Sequence, residues 1–349
     1  MNAAHAGRER SDGASERRRV LLAGATGYIG RHVARALVAH GEEVVCLARA
    51  RSGVGGAADE DATRRALEGC DVHFVELTDP SSLHAVLEGA TFDAVVSCIA
   101  SRSGTPSDAW RVDHDANVSL LDAATRAGAK HFVLLSAICV QKPRLEFQRA
   151  KLAFEERLRT SGLRWSIVRP TAFFKSLSGQ VEAVKRGKPF LVFGDGTLTS
   201  CKPISERDLA RFVVSCLDDP SKHDAILPIG GPGEAITPLA QGAMLAELCG
   251  RTPRYRHVPV RMLDAIIGAL SLVGRLSGAV REKAELARIG RYYATESMLV
   301  YDAARDAYDA AATPSFGHDT LRQFYAHALE HGLGDQQLGD HAVFSRARE

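Results

Sequence analysis

The chain has 349 residues, of which 45% are hydrophobic and 25% are charged, and its formal net charge at pH 7 is +2. This length allows one large domain, or a cofactor-binding domain with a smaller lobe, and the near-neutral charge creates no field that would attract nucleic acid. The seven cysteines show neither a CxxC pair nor the spacing of zinc ligands, so we expect no nucleic-acid partner and no metal site.

The first segment, residues 1–17, is polar and rich in Ala, Gly and Ser. It lacks the apolar core of a signal peptide, and its acidic residues are unusual for a transit peptide. We therefore predict a disordered leader. Because the cysteines are unpaired and no secretory signal is present, we expect a reducing, cytoplasmic location.

Residues 18–170 alternate short apolar runs with helical patterns, which predicts βαβ units. Such units build a Rossmann-type doubly wound α/β fold around a parallel sheet. Strands are predicted at 20–23, 44–47, 72–75, 94–99, 132–135 and 165–168, and helices at 28–40, 108–127 and 145–160.

From residue 171 onward the pattern loosens into turn clusters, helices and short strand-like pieces. Helices are predicted at 205–217, 238–249, 261–276 and 319–331. We predict that residues 171–349 form a smaller substrate lobe, interleaved with the last strands of the sheet.

The most hydrophobic part of this lobe is Met262–Val280. Asp264 and Arg275 interrupt it, so its uncharged part is too short to span a bilayer. Two interpretations stay open: a buried or partly exposed helix, or a helix that docks on a membrane surface.

A glycine-rich loop, Gly24-Ala25-Thr26-Gly27-Tyr28-Ile29-Gly30, lies between the first predicted strand and an amphipathic helix. In dinucleotide-binding folds the first glycine makes the tight turn, and the second lets the backbone approach the pyrophosphate. The third allows close helix–strand packing, and the helix N-terminus faces the anion. We therefore predict that Gly24, Thr26, Gly27, Tyr28, Ile29 and Gly30 bind the cofactor.

The residues after the next strands indicate which dinucleotide is bound. Arg49 ends the second strand, at the position where NAD-binding sites usually carry an acidic residue. We therefore expect its guanidinium to make a bidentate hydrogen bond to the 2′-phosphate of NADP. The alternative for Arg49 is a solvated strand end. Glu76 is expected at the adenine edge, and Cys98, in the segment after the fourth strand, beneath the cofactor.

The order of loop, strands and helices resembles the extended and atypical short-chain dehydrogenase/reductase superfamily, which uses a serine and a Tyr-x-x-x-Lys pair. Lys151 matches the lysine and Ser136 the serine, and both are expected to contact the cofactor, but Phe147 stands at the tyrosine position. Phenylalanine has no proton to give, so carbonyl reduction by the usual route is not expected. Either the protein only senses NADPH, or its reaction needs no tyrosine. The alternative for Lys151 is an ordinary surface lysine with no role in the site.

Several longer segments resemble the NADPH-dependent divinyl chlorophyllide 8-vinyl reductases, across nearly the whole chain. The segments are Gly24–Gly30, Lys142–Lys151, Phe190–Gly196, Cys201–Glu206, Arg288–Met298 and Leu338–Phe344, of which the last two are the most family-specific. The phenylalanine at position 147 also looks typical of this family.

This resemblance implies NADPH as cofactor and a tetrapyrrole substrate. The C8 vinyl group of a divinyl chlorophyllide or protochlorophyllide would become ethyl, in (bacterio)chlorophyll synthesis. The macrocycle would take up the charge, and Lys151, or a water that it holds, would protonate the inner carbon. Peripheral contact with photosynthetic membranes, through Met262–Val280, remains open.

The flat, apolar ring is expected to lie against aromatic and sulfur-containing side chains of the second lobe. The candidates are Phe173, Phe174, Tyr292, Tyr293 and Met298, with an ordinary core role as the alternative for each. Two other functions stay open: an NmrA-like regulator that senses NADPH without turnover, and an isoflavone-type reductase of another conjugated molecule.

Overall fold

The computed structural model describes residues 17–51, 58–274 and 277–333, and the strands within them form one large sheet and two small ones. The strands are β1 (Arg19–Ala23), β2 (Glu43–Ala48), β3 (Asp71–Phe74), β4 (Ala94–Ser97), β5 (His131–Leu135), β6 (Arg164–Pro170), β7 (Phe190–Phe193), β8 (Ala225–Ile229), β9 (Tyr255–Val258), β10 (Val300–Asp302) and β11 (Ala307–Asp309). Seven of them make a parallel sheet in the order β3-β2-β1-β4-β5-β6-β8. This confirms the predicted Rossmann-type fold.

The helices of the described residues cover this sheet and build the second lobe. They are α1 (Tyr28–His40), α2 (Glu60–Ala66), α3 (Pro80–Leu87), α4 (Pro106–Ala109), α5 (Ala116–Arg126), α6 (Glu146–Arg159), α7 (Val181–Lys185), α8 (Glu206–Ser215), α9 (Pro238–Leu248), α10 (Val260–Val273), α11 (Gly278–Thr295) and α12 (Leu321–His331). A π-helical segment, Trp110–Asp115, joins α4 to α5.

Both faces of the large sheet are buried. On β1, Val20 and Leu22 join one core cluster, whereas Leu21 and Ala23 join another, because successive side chains of a strand point to opposite faces. Helices α1 and α8 cover the first face, and α3, α5 and α6 cover the second. Burial on both sides explains why these strands are continuous apolar runs.

The strand order reverses between β1 and β4, so that the chain winds outward in both directions from this point. In open parallel sheets, ligands bind in the crevice outside the carboxyl ends of the strands at such a switch point. The glycine loop follows β1 and Cys98 follows β4, so the fold brings both to this crevice.

The region after residue 170 contributes one strand to the large sheet and forms its own core. Strand β8 pairs with β6, β7 pairs with β9, and β10 and β11 form an antiparallel hairpin. Helices α7, α9 and α12 enclose a third apolar cluster around Tyr325 and Phe190.

The hydrophobic stretch Met262–Val280 is divided between two helices that pack against each other, α10 and α11. None of the residues of α10 is fully buried, so the stretch forms a partly exposed helix, as the first of the two interpretations allows. Helix α11 was not among the predicted helices. Nothing in the described ranges is both long and apolar enough to cross a membrane.

Two predictions fall largely or wholly on residues outside the described ranges. They are the leader, of which residues 1–16 are not described, and the motif Leu338–Phe344.

Candidate active site

The glycine loop fits a dinucleotide because its first and third glycines are tightly packed, whereas its second is less crowded and exposed. Gly24 has a φ of +78°, and a Cβ there would lie 2.6 Å from the carbonyl carbon of Cys98. A Cβ on Gly30 would lie 2.1 Å from the Gly24 oxygen. On Gly27 it would meet only the Gly24 oxygen, at 3.1 Å. Gly27 is exposed at the start of α1, where no side chain caps the first turn, so the backbone can approach an anion.

The remaining loop residues play different parts. Ile29 is buried in the core of the sheet and holds α1 in place, whereas Thr26 is half-buried. The Tyr28 hydroxyl donates a hydrogen bond to Glu206 Oε2 at 2.8 Å, and Lys175 Nζ lies 4.4 Å from the centre of the Tyr28 ring. Tyr28 therefore ties the loop to α8.

The three strand-end residues predicted to meet the cofactor lie at the same edge of the sheet. Arg49 is exposed one residue after β2, and Glu76 is exposed after β3, where it accepts a 2.8 Å hydrogen bond from Thr78 Oγ1. Burial raises the pKa of the Cys98 thiol to about 12, so Cys98 offers its backbone and a neutral side chain. In the described part of the chain, no cluster of His, Cys, Asp or Glu is arranged to hold a metal ion.

Lys151 is not a surface lysine. Its Nζ lies 2.8 Å from Asp113 Oδ1, and the exposed fractions of the two side chains are 12% and 0%. Asp113 also accepts hydrogen bonds from the N–H and the hydroxyl of Ser101, at 3.2 Å and 2.6 Å. A buried ion pair requires this full set of partners, since each unpaired charge would carry a large desolvation cost.

The π-helical segment explains how Asp113 reaches Lys151. The single helix predicted at 108–127 is observed as α4, the π segment and α5, and Asp113 lies inside the π segment. Such segments re-aim side chains and are frequent at functional sites. Asn117, on α5, anchors it: its amide donates to the Asp113 carbonyl at 3.0 Å, and its oxygen accepts from Ser97 at 2.6 Å.

Asp113, Ser101 and Asn117 were missed by the sequence reasoning. The only signal was a run of acidic residues in a helix with a buried face, which an ordinary solvated helix also shows. The contact of Asp113 with Lys151 depends on the packing of α6 against the π-helical segment, which no local motif encodes.

Ser136 and Phe147 make their contacts with groups other than the Lys151–Asp113 ion pair. The Ser136 hydroxyl is buried and donates to Glu155 Oε1 at 2.5 Å, and Glu155 in turn binds Arg169. Phe147 is buried in an apolar cluster with Cys139 and Ile289. In this structure the Ser136 hydroxyl is therefore engaged by Glu155.

The five predicted pocket residues divide into two groups. Phe174 is buried in the core of the second lobe, and the buried Tyr292 donates hydrogen bonds to the carbonyls of Cys139 and Lys142. We correct the expectation for these two, because both side chains are enclosed by the protein itself. Phe173, Tyr293 and Met298 retain solvent exposure, with 46% of Tyr293 exposed.

The chain is similar to proteins of one named activity over most of its length. The NAD(P)H-binding family model matches residues 24–220. A relative from Arabidopsis thaliana, "divinyl chlorophyllide a 8-vinyl-reductase, chloroplastic", is 49% identical over 92% of this chain and 79% of its own length. A relative of the same name from Oryza sativa subsp. indica is 51% identical over 93% of this chain and 82% of its own length.

Solved structures support the fold. The binary complex of leucoanthocyanidin reductase with NADPH from Vitis vinifera matches with a TM-score of 0.62, covering 89% of this chain and 99% of that chain. The sequence identity is 16%, so this similarity concerns the architecture alone.

Proposed function

The chain belongs to the divinyl chlorophyllide a 8-vinyl-reductase family, and we propose that the Lys151–Asp113 ion pair is the centre of its active site. The protein is an NADPH-dependent oxidoreductase that reduces the C8 vinyl group of a divinyl chlorophyllide to ethyl. The observation that carries the site assignment is a buried lysine, held by a buried carboxylate at 2.8 Å, next to a helix position where phenylalanine replaces the usual tyrosine.

In this proposal, different residues of the crevice bind different parts of NADPH. The glycine loop holds the pyrophosphate at the start of α1, Arg49 forks onto the 2′-phosphate, and Glu76 meets the adenine edge. Lys151, fixed in direction by Asp113, donates to the ribose hydroxyls on the nicotinamide side. When bound, NADPH supplies a hydride to the substrate.

The reaction explains the missing tyrosine on α6. In a carbonyl reduction, negative charge develops on one oxygen and a phenol must neutralise it. When hydride adds to the terminal carbon of a vinyl group on a porphyrin-type ring, the charge spreads over the conjugated macrocycle. No oxygen then requires an acid at position 147, so Phe147 is free to pack in the apolar cluster.

We place the macrocycle between α6 and the lobe formed by residues 171–333. The partly exposed side chains of Phe173, Tyr293 and Met298 are the apolar surface that we assign to it. Binding of a flat, rigid ring across them would orient the vinyl group, and orientation of this kind supplies a large part of the rate acceleration.

Helix α10 is the proposed contact with an anionic membrane surface. Met262, Ile266, Leu272 and Val273 are between 42% and 66% exposed. The one acidic residue of this helix, Asp264, is paired with Arg291, so its charge is neutralised. Exposed Arg254, Arg256 and Arg261 precede or begin the helix, and each basic residue near an anionic bilayer contributes about 1 kcal/mol of attraction.

Flotation with anionic liposomes tests this contact. The protein is expected to float with the vesicles, and the double change Ile266→Ser and Leu272→Ser is expected to leave it in the bottom fraction. Leu198→Ser, at an equally exposed apolar residue outside α10, is the matched control and should float. Equal flotation of all three proteins would refute the contact.

A turnover assay tests the function. Purified protein with NADPH and divinyl protochlorophyllide is expected to shift the Soret band slightly to the blue while NADPH is consumed in equal amount. Lys151→Met is expected to lower turnover at least about 100-fold, whereas Lys188→Met, at an exposed lysine, should not. Binding of NADPH without the spectral shift would indicate a sensor. Reduction of another conjugated molecule, with no pigment affinity, would indicate an isoflavone-type enzyme.

A further inference from the structure

Helix α11 brings a phenol of its own towards the site that lacks one on α6. The Tyr293 hydroxyl lies 3.8 Å from Cys139 Sγ, the distance of a weak hydrogen bond to sulfur. Cys139 lies on the turn after β5 and belongs to the same apolar cluster as Phe147 and Ala150. Tyr293 therefore approaches the N-terminal half of α6 from the side of the second lobe.

The ion pair and the Tyr293 hydroxyl both act on the same neighbour, Cys139. The positive charge of Lys151 acts to lower the pKa of the Cys139 thiol, against the larger effect of burial, which raises it. Burial raises the pKa of Tyr293 well above its ordinary value, and the negative charge of Asp113 acts in the same direction. The Tyr293 hydroxyl, Cys139 and the Lys151–Asp113 ion pair thus share one environment.

Tyr293 is oriented so that its ring can contact a bound ligand while its hydroxyl points into the protein. Almost half of the residue is exposed, at 46%, while its hydroxyl is turned inward to Cys139. The neighbouring Tyr292 differs, because it is buried and its hydroxyl is fully used by two backbone carbonyls. Of these adjacent tyrosines, Tyr293 has the ring that a substrate can touch.

We propose that Tyr293 is the proton donor of the reduction and so supplies from α11 the phenol that α6 lacks at Phe147. This inference rests on the proposed function. After hydride has reached the terminal vinyl carbon, the Tyr293 O–H bond breaks and its proton bonds to the inner carbon, which carries part of the macrocycle's negative charge. The phenolate then regains a proton from water, and Lys151 keeps its charge beside Asp113. The sum is one hydride and one proton added across the C=C bond.

The environment favours Tyr293 as an acid over Lys151 as the direct donor. A phenol whose pKa is raised keeps its proton at every working pH and releases it only to a strong base, such as the charged macrocycle. Lys151 is committed to Asp113 at 2.8 Å, so a direct transfer to carbon would leave the buried carboxylate unpaired.

Tyr293→Phe tests the proposal because it removes one oxygen and keeps the ring. We expect kcat to fall at least about 100-fold, as for loss of a general acid, with the Kd values for NADPH and pigment within about 3-fold of wild type. The solvent deuterium isotope effect on kcat, expected in the wild type, should change in the variant. Tyr301→Phe, which deletes a hydroxyl bonded to Asp306 on the β10–β11 hairpin, is the matched control and should leave kcat unchanged.

A measurement independent of turnover separates this inference from the function itself. Fluorotyrosine placed at position 293 should show a fluorine NMR resonance that moves on addition of NADP⁺ and in the Lys151→Met background, while fluorotyrosine at position 301 should not move. The inference is overturned if the resonance at position 293 moves neither on addition of NADP⁺ nor in the Lys151→Met background. It is also overturned if the kcat of Tyr293→Phe stays within about 3-fold of wild type. An inactive wild type with a responsive resonance would contradict the function and keep Tyr293 in the site.

Discussion

Replacing Asp113 with asparagine removes the carboxylate that faces Lys151 while keeping the size and much of the hydrogen bonding of the side chain. The lysine then carries a charge with no partner in a site where its side chain is 12% exposed. Breaking a buried ion pair by removing one partner costs about 3–5 kcal/mol. Since water retains some access to Lys151, we expect Asp113→Asn to lower the free energy of unfolding by about 3 kcal/mol.

Urea unfolding followed by circular dichroism measures this loss, and a double-mutant cycle assigns it to the pair. In the double variant Asp113→Asn with Lys151→Met, the unpaired charge is gone, so much of the lost stability should return. Glu156→Gln is the matched control on the same helix, because Glu156 and Arg159 are also 2.8 Å apart but both are about half exposed. Its cost should stay below about 1 kcal/mol.

Two results would refute this reasoning. One is a loss for Asp113→Asn no larger than that for Glu156→Gln, which would mean that the site is wet and the pair weak. The other is a double variant whose loss equals the sum of the two single losses, because additivity would show that Asp113 and Lys151 do not interact.

Three further predictions concern the cofactor loop, the cofactor choice and acid stability. Gly30→Ala should distort the loop and lower the Tm, because the added Cβ would lie 2.1 Å from the Gly24 oxygen. Gly27→Ala should keep the Tm but weaken NADPH binding in a fluorescence titration. Equal losses of Tm in the two variants would contradict this prediction. Arg49→Glu should raise the Kd for NADPH by at least about 10-fold more than that for NADH, and an unchanged ratio would remove Arg49 from the site. Burial, together with the nearby His223, lowers the pKa of His131 to about 4. Below about pH 6.5 the unfolded chain therefore binds more protons than the folded protein. The free energy of unfolding should fall by up to about 3 kcal/mol as the pH drops from about 6.5 to 4. His131→Gln should flatten that dependence, and a slope equal to wild type would contradict the assignment.

The cofactor half of the fold could be predicted because its determinants are local. The glycine loop, the helix Tyr28–His40 and the glycine after it follow each other along the chain, and Gly41 indeed ends α1 with a φ of 94°. The central apolar runs of β1, β2, β4 and β5 each carry their own signal, since burial on both faces leaves few polar positions in them.

The site beyond the cofactor loop depends on contacts that are distant in sequence. Asp113 meets Lys151 only because a π-helical segment redirects it, and Tyr293 meets Cys139 across 154 positions of the chain. Helix α11 also lies outside the predicted helices, because one hydrophobic stretch runs from α10 into its first turn. Helical periodicity alone does not say where one helix stops and an antiparallel partner begins.

The most direct test of the central claim is a turnover with NADPH carrying deuterium at the transferable position of the nicotinamide. If hydride is delivered to the vinyl group at a site built around Lys151 and Asp113, the pigment product should carry one deuterium on the terminal carbon of its C8 ethyl group and none on the inner carbon. Recovery of unchanged divinyl pigment, or deuterium on the inner carbon, would contradict the account.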